Sequence, residues 1–143
     1  MKQLCLGTAA LCAALITAPV LGNAQQTADI GKQEYINSCA SCHGEDGKGG
    51  GPVAISLKEK VPDLTVLAKN NAGVFPFARV YDVIDGRQAV AAHGPREMQV
   101  WGSEYREEGA KASRYEATRG ELSSYARGRI IALIGYIYTL QAK

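Results

Sequence analysis

Five consecutive residues, Cys39-Ala40-Ser41-Cys42-His43, hold the densest chemistry in the chain. Two thiols three positions apart can each form a thioether to a haem vinyl group, and the imidazole of the next residue can bind the iron. Other chemistries use the same residues less completely. A structural zinc site needs four ligands, and beyond these three side chains only His93 or a carboxylate remains, without the usual second pair. A thioredoxin-like redox pair calls for a preceding strand and a βαβ frame. A disulfide between Cys39 and Cys42 suits an oxidising compartment but leaves His43 without a role. The motif therefore predicts one haem c, covalently attached through Cys39 and Cys42, with His43 on the metal.

Iron that only carries electrons benefits from a second axial ligand, because its coordination then stays the same in both oxidation states. Met98, 55 residues beyond His43, is the sole methionine apart from Met1. Its soft sulfur favours ferrous iron and raises the potential. Two alternatives stand beside it: Met98 as a gap-filling core residue, and His93 as a distal ligand giving a lower potential. The run Gly44-Glu45-Asp46-Gly47-Lys48-Gly49-Gly50-Gly51 lacks the Ser or Thr that a nucleotide-phosphate loop needs after its Gly-Lys. Its glycines are expected to let backbone pass close to a flat ligand.

The first two dozen residues differ from the rest. Lys2 is followed by an uncharged run from Leu4 to Leu21 and by the small residues of Gly22-Asn23-Ala24. This pattern predicts a signal peptide over residues 1–24, cleaved between Ala24 and Gln25, and one domain over residues 25–143. The alternative is a retained anchor, since an 18-residue apolar run is at the lower limit for crossing a bilayer. Export places the protein in the periplasm, with the membrane as a partner only if the leader is kept. Loss of Lys2 leaves 15 basic against 14 acidic side chains, and no clustered basic face suited to nucleic acid. Cys5 and Cys12 leave with the leader.

The elements that must position the motif read as helices. Spacings of three and four among Ile36, Cys39, Ala40 and His43 predict a helix from Asp29 to Ala40. A short helix is expected between Pro62 and Asn71, another from Pro76 to about Ile84, and a loop from Arg87 to Gly102. The mixed charges between Ser103 and Arg119 predict a solvated connection with at most a marginal helix, the alternative being a surface for docking a partner. Thr118 and Glu121 are spaced as a capping box ahead of an apolar stripe that runs from Leu122 to Leu140. Gly128 and Gly135 interrupt that stripe at a cost of roughly 1 kcal/mol each, which suggests close packing there.

With these residues in view, the chain resembles the bacterial class I c-type cytochromes over nearly all of residues 25–143. Cys39 to Gly44 matches that family's haem motif in full. Gly31 and Tyr35 resemble positions of its first helix, and Leu133, Gly135 and Tyr136 resemble positions of the last helix that crosses it. The resemblance implies an all-α fold of about four or five short helices around one haem. It makes Pro52 the residue whose carbonyl accepts from the His43 ring, and it makes Trp101 and Arg87 partners of the haem propionates. It also implies a periplasmic one-electron carrier with His43 and Met98 on the iron, not an enzyme. Its partners would be redox proteins: a dehydrogenase, an oxidase, a reductase or another cytochrome. No small-molecule substrate is required. The alternatives are a peroxidase-like enzyme or gas sensor if the distal ligand is missing, and a dedicated haem subunit of a larger dehydrogenase. Two departures from the family pattern stand out: Gln99 where proline often follows the ligand methionine, and the length of the stretch from Ser103 to Arg119.

Overall fold

The structure is a computed structural model that describes residues 21–88 and 98–142. Its order is α1 (Leu21–Ser38), α2 (Ala40–His43), α3 (Phe77–Asp85), α4 (Trp101–Ala112) and α5 (Arg119–Thr139). Three 3-10 turns, Ala54–Ser56, Leu64–Val66 and Lys69–Asn71, fill the passage from α2 to α3, and no strand occurs among the described residues. Nor is any helix among them long and apolar enough to cross a membrane. The all-α expectation holds. α1 reaches back to Leu21, across the Ala24–Gln25 bond where cleavage is expected.

The first and last helices form the frame. Gly31, Glu34, Tyr35 and Cys39 recur at spacings of three and four along one buried line that runs off α1 into the motif. α5 answers with Ala126, Ile130, Leu133, Ile134 and Ile137, all buried. The helices meet most closely at Gly31, where a Cβ would fall on the Ala132 carbonyl and come within 3.2 Å of the Tyr136 Cβ. The Tyr35 and Tyr136 rings lie 5.2 Å apart beside that contact. Close packing was expected at Gly128 and Gly135. Instead, both are exposed and a Cβ at either would meet nothing within 4 Å.

The stretch expected to be a solvated connection is largely the helix α4. Its charges lie on the outer face, while Gly102, Tyr105 and Gly109 are buried at helical spacing. Two of these three inward positions are glycines, so the apolar period is faint in the sequence. A Cβ on Gly109 would stand 2.9 Å from the Tyr125 ring of α5. The capping box is as expected, with Thr118 Oγ1 accepting from the Glu121 N–H and the Glu121 carboxylate accepting from the Thr118 N–H. Accepting from both the Thr118 N–H and the Thr118 hydroxyl holds the Glu121 carboxyl below its ordinary range.

A buried polar knot ties α1, α4 and α5 together. Glu34 is 5% exposed and accepts from Tyr105 Oη at 2.8 Å and Ser38 Oγ at 3.0 Å, with the Arg129 guanidinium on its other oxygen. Arg129 also reaches Glu108 at 3.4 Å and lies over the Tyr105 and Tyr125 rings. Burial, followed by the bond to Glu34, pushes the Tyr105 hydroxyl up. A buried carboxylate is tolerated only with such partners, because an unpaired charge is costly to desolvate.

The two kinds of glycine separate in an unfolding experiment. Gly31→Ala should lower the stability of the haem-loaded protein by about 2 to 3 kcal/mol, since backbone must move to admit a methyl group. Gly128→Ala and Gly135→Ala should each raise it, by up to about 1 kcal/mol. Denaturant midpoints of the three variants check both signs.

Candidate functional site

α2 has only four residues and cannot hold itself together. Every one of its carbonyls accepts a hydrogen bond from the chain that follows: Ala40 from Gly44 (2.8 Å), Ser41 from Val53 (2.9 Å), Cys42 from Gly51 (3.1 Å) and His43 from Gly49 (2.7 Å). The orphan acceptors of a helix end are thereby satisfied. Three of those four donors are glycines of the run that begins at Gly44. A Cβ on Gly51 would collide with the Ser41 and Ala40 carbonyls, and one on Gly49, where φ is +85°, with the Val61 carbonyl. The glycine run thus lets backbone pass close to the protein's own motif, a role not foreseen from its composition.

Cys39 and Cys42 are not joined to each other as a disulfide. Cys39 is buried, and burial pushes its thiol up to about 12, with Glu34 and then Cys42 adding to the effect. His43 is 8% exposed, and its Nδ1 lies 3.3 Å from the Pro62 carbonyl oxygen. A proton on Nδ1 leaves the ring's lone pair on Nε2, the form in which a neutral imidazole binds metal. The resemblance assigned this role to Pro52. The structure records the contact at Pro62, because the glycine run turns the chain back and lays Val61 and Pro62 beside the motif. Pro52 is exposed, between the two residues that donate to Ser41 and Cys42.

Two cavities flank the motif. The larger, about 340 Å³, is walled by apolar side chains of the 3-10 turns, α3 and α5, among them Leu64, Leu67, Val80, Val83, Ile84 and Ile137. The smaller, about 270 Å³, is lined by Ser41, Cys42, Leu57, Val61 and Trp101 among others. Cys39, His43 and Met98 line both. The structure therefore brings together five of the seven residues singled out in the sequence: Cys39, Cys42, His43, Met98 and Trp101. Arg87 is not among the lining residues. Its Nε lies 2.6 Å from Asp85, and its guanidinium stands over the Tyr81 ring at 5.6 Å. The arginine on the wall of the larger cavity is Arg79, which shares its face of α3 with Val80, Val83 and Ile84 and lines the same cavity as Asn70 and Asn71. That i, i+1, i+4, i+5 pattern was available in the sequence as the signal for it. His93 lies outside the described residues. Among the described residues no group of three or more His, Cys, Asp and Glu forms a metal cage.

This donor set fits a large, flat, mostly apolar ring bonded to two sulfurs and bearing a metal with imidazole affinity. The family model for cytochrome c oxidase, cbb3-type, subunit III matches residues 26–112. The chain is a class I c-type cytochrome of that family. No curated protein and no solved structure is significantly similar to it. The match runs from within α1 to the end of α4 and covers the whole glycine run, so the cytochrome's haem motif, Pro62 and Met98 all lie within it. A haem-binding role in electron transfer follows.

Gly49 is the sharpest test of how the motif is held. Gly49→Ala must place a side chain at positive φ and against the Val61 carbonyl, which should cost at least about 2 kcal/mol. The thermal midpoint of the haem-loaded variant should fall, and its absorption spectrum should broaden as His43 loses its fixed orientation. A variant with the midpoint and spectrum of the unaltered cytochrome would contradict this account of the motif's backing.

Proposed function

We propose that this cytochrome is an exported carrier of one electron, holding a single haem c bonded to Cys39 and Cys42 with His43 and Met98 as the two axial ligands. The observation that carries the reading is that His43 and Met98 line the same two cavities as Cys39. The bound group supplies a one-electron couple at iron. The chain supplies the rest. Pro62 orients the imidazole through Nδ1, Met98 offers a sulfur that favours the reduced state, and the apolar walls exclude water and raise the potential further. No small-molecule substrate is required, and the partners are other redox proteins. A family described as an oxidase subunit supports an oxidase among them. The uncharged run from Leu4 to Leu21, ending in Gly22-Asn23-Ala24, supports a periplasmic location.

Two measurements test this. The mass of the protein exported by a host able to attach haem should correspond to a chain starting at Gln25 plus one macrocycle. Absence of the added mass would sink the reading, and an intact residue 1 would sink only the export step. In absorption, the ferric protein should be low-spin with the weak charge-transfer band of methionine ligation. Met98→Ala should abolish that band, lower the potential and open the iron to cyanide. If the unaltered protein is already high-spin and binds cyanide freely, the enzyme or sensor alternative is favoured.

A further inference from the structure

The stretch that carries Met98 is tied at both feet by one buried carboxylate. Asp85, the last residue of α3, is 9% exposed. Its Oδ2 lies 2.6 Å from Arg87 Nε and its Oδ1 3.6 Å from Arg106 Nη1. The first turn of α4 rests directly on it, since a Cβ at Gly102 would fall on Asp85 Oδ1 and within 2.8 Å of its carbonyl oxygen. Beside it Gly86 takes a left-handed conformation, φ +84°, and presses on Val100, whose Cγ2 a Cβ would meet at 3.0 Å. The N–H groups of Arg87 and Gln88 both donate to the Asp82 carbonyl, at 2.8 and 3.1 Å. The chain leaving α3 and the chain entering α4 are thus locked against each other. Met98 stands two residues before Val100, and Trp101 one residue after it.

We propose that Asp85, gripped by Arg87 and Arg106 and seated on Gly102, is a positioning residue that holds Met98 against the cavity and sets how firmly its sulfur stays on the iron. The inference rests on Met98 being the distal ligand. A thioether is a neutral, weak donor, so its hold on a metal depends heavily on being kept in place, as for any group whose effective concentration comes from a constrained chain. A buried carboxylate with two guanidinium partners and no room for a side chain at Gly102 supplies that constraint. It also gives Arg87, Arg106 and Gly102 a common purpose, although none of the three lines either of the two cavities that flank the motif.

The test is competition for the iron in the ferric, haem-loaded protein, with imidazole as the probe. Four proteins are compared: the unaltered chain, Asp85→Asn, Met98→Ala and the double variant. Asp85→Asn should keep the methionine band without imidazole, yet lose it at roughly five- to thirtyfold lower imidazole concentration. In the Met98→Ala background the same substitution should leave imidazole binding unchanged, because there is no sulfur to hold. Arg106→Gln, at a partly exposed site, should shift the titration in the same direction and covers the case in which Asp85→Asn does not fold. An unshifted titration in Asp85→Asn, or in Arg106→Gln where that stands in for it, overturns the proposal. So does an equal shift with and without Met98, which would mark Asp85 as a general structural residue. If Met98→Ala alone leaves the spectrum unaltered, the ligand assignment beneath the proposal fails instead.

Discussion

A helix of four residues has more unmet carbonyls than bonds of its own, and the rest of this cytochrome is built around meeting them. Ala40, Cys42 and His43 direct acceptors at the glycine run and Ser41 at Val53 just beyond it, and only residues without side chains can approach closely enough at Gly49 and Gly51. Once the run is folded over the motif, Val61 and Pro62 are carried to His43, and the Gly47 carbonyl accepts from the Leu64 N–H at 2.7 Å. That bond anchors the 3-10 turns that wall the larger cavity. The Tyr35 hydroxyl, buried in α1, donates to the Gly44 carbonyl at 2.7 Å and ties the same end of the motif to the helical frame.

The frame in turn closes on the turns through its far end. Gln141, just past α5, donates from Nε2 to the Leu64 carbonyl at 2.7 Å and accepts from the Ala68 N–H at 3.0 Å. The Ala142 N–H reaches the Thr65 carbonyl. The cavity wall is therefore held by α1 and the glycine run on one side and by the tail of α5 on the other. Its apolar lining and its two sulfurs face a common space, which is why a haem can complete the core of a small domain with little else to bury. Family membership and cavity chemistry agree on this point from independent grounds.

What was legible in the sequence was local. The spacing of Cys39, Cys42 and His43 and the capping box at Thr118 and Glu121 each depend on residues within five positions of one another; the capping box stands as read, and the family model covers the motif. The long apolar period of α5 was equally plain. What could not be read was set by distant partners. Glu34 meets Tyr105 and Arg129 across 71 and 95 residues, so nothing near Glu34 marks it as buried. α4 looked like solvent-exposed chain because two of its inward positions are glycines fitted to Asp85 and Tyr125. The choice of Pro62 over Pro52 depends on where the glycine run turns, which its composition permits without specifying. Arg87 was assigned by resemblance to a propionate, but a buried carboxylate two residues away had the stronger claim on it.

The central claim is that one iron is held between the imidazole of His43 and the sulfur of Met98. X-ray absorption at the iron edge of the purified ferric protein reads that donor set directly. The account predicts five nitrogen neighbours and one sulfur. A shell of nitrogens alone, whether completed by His93 or left five-coordinate, would contradict it.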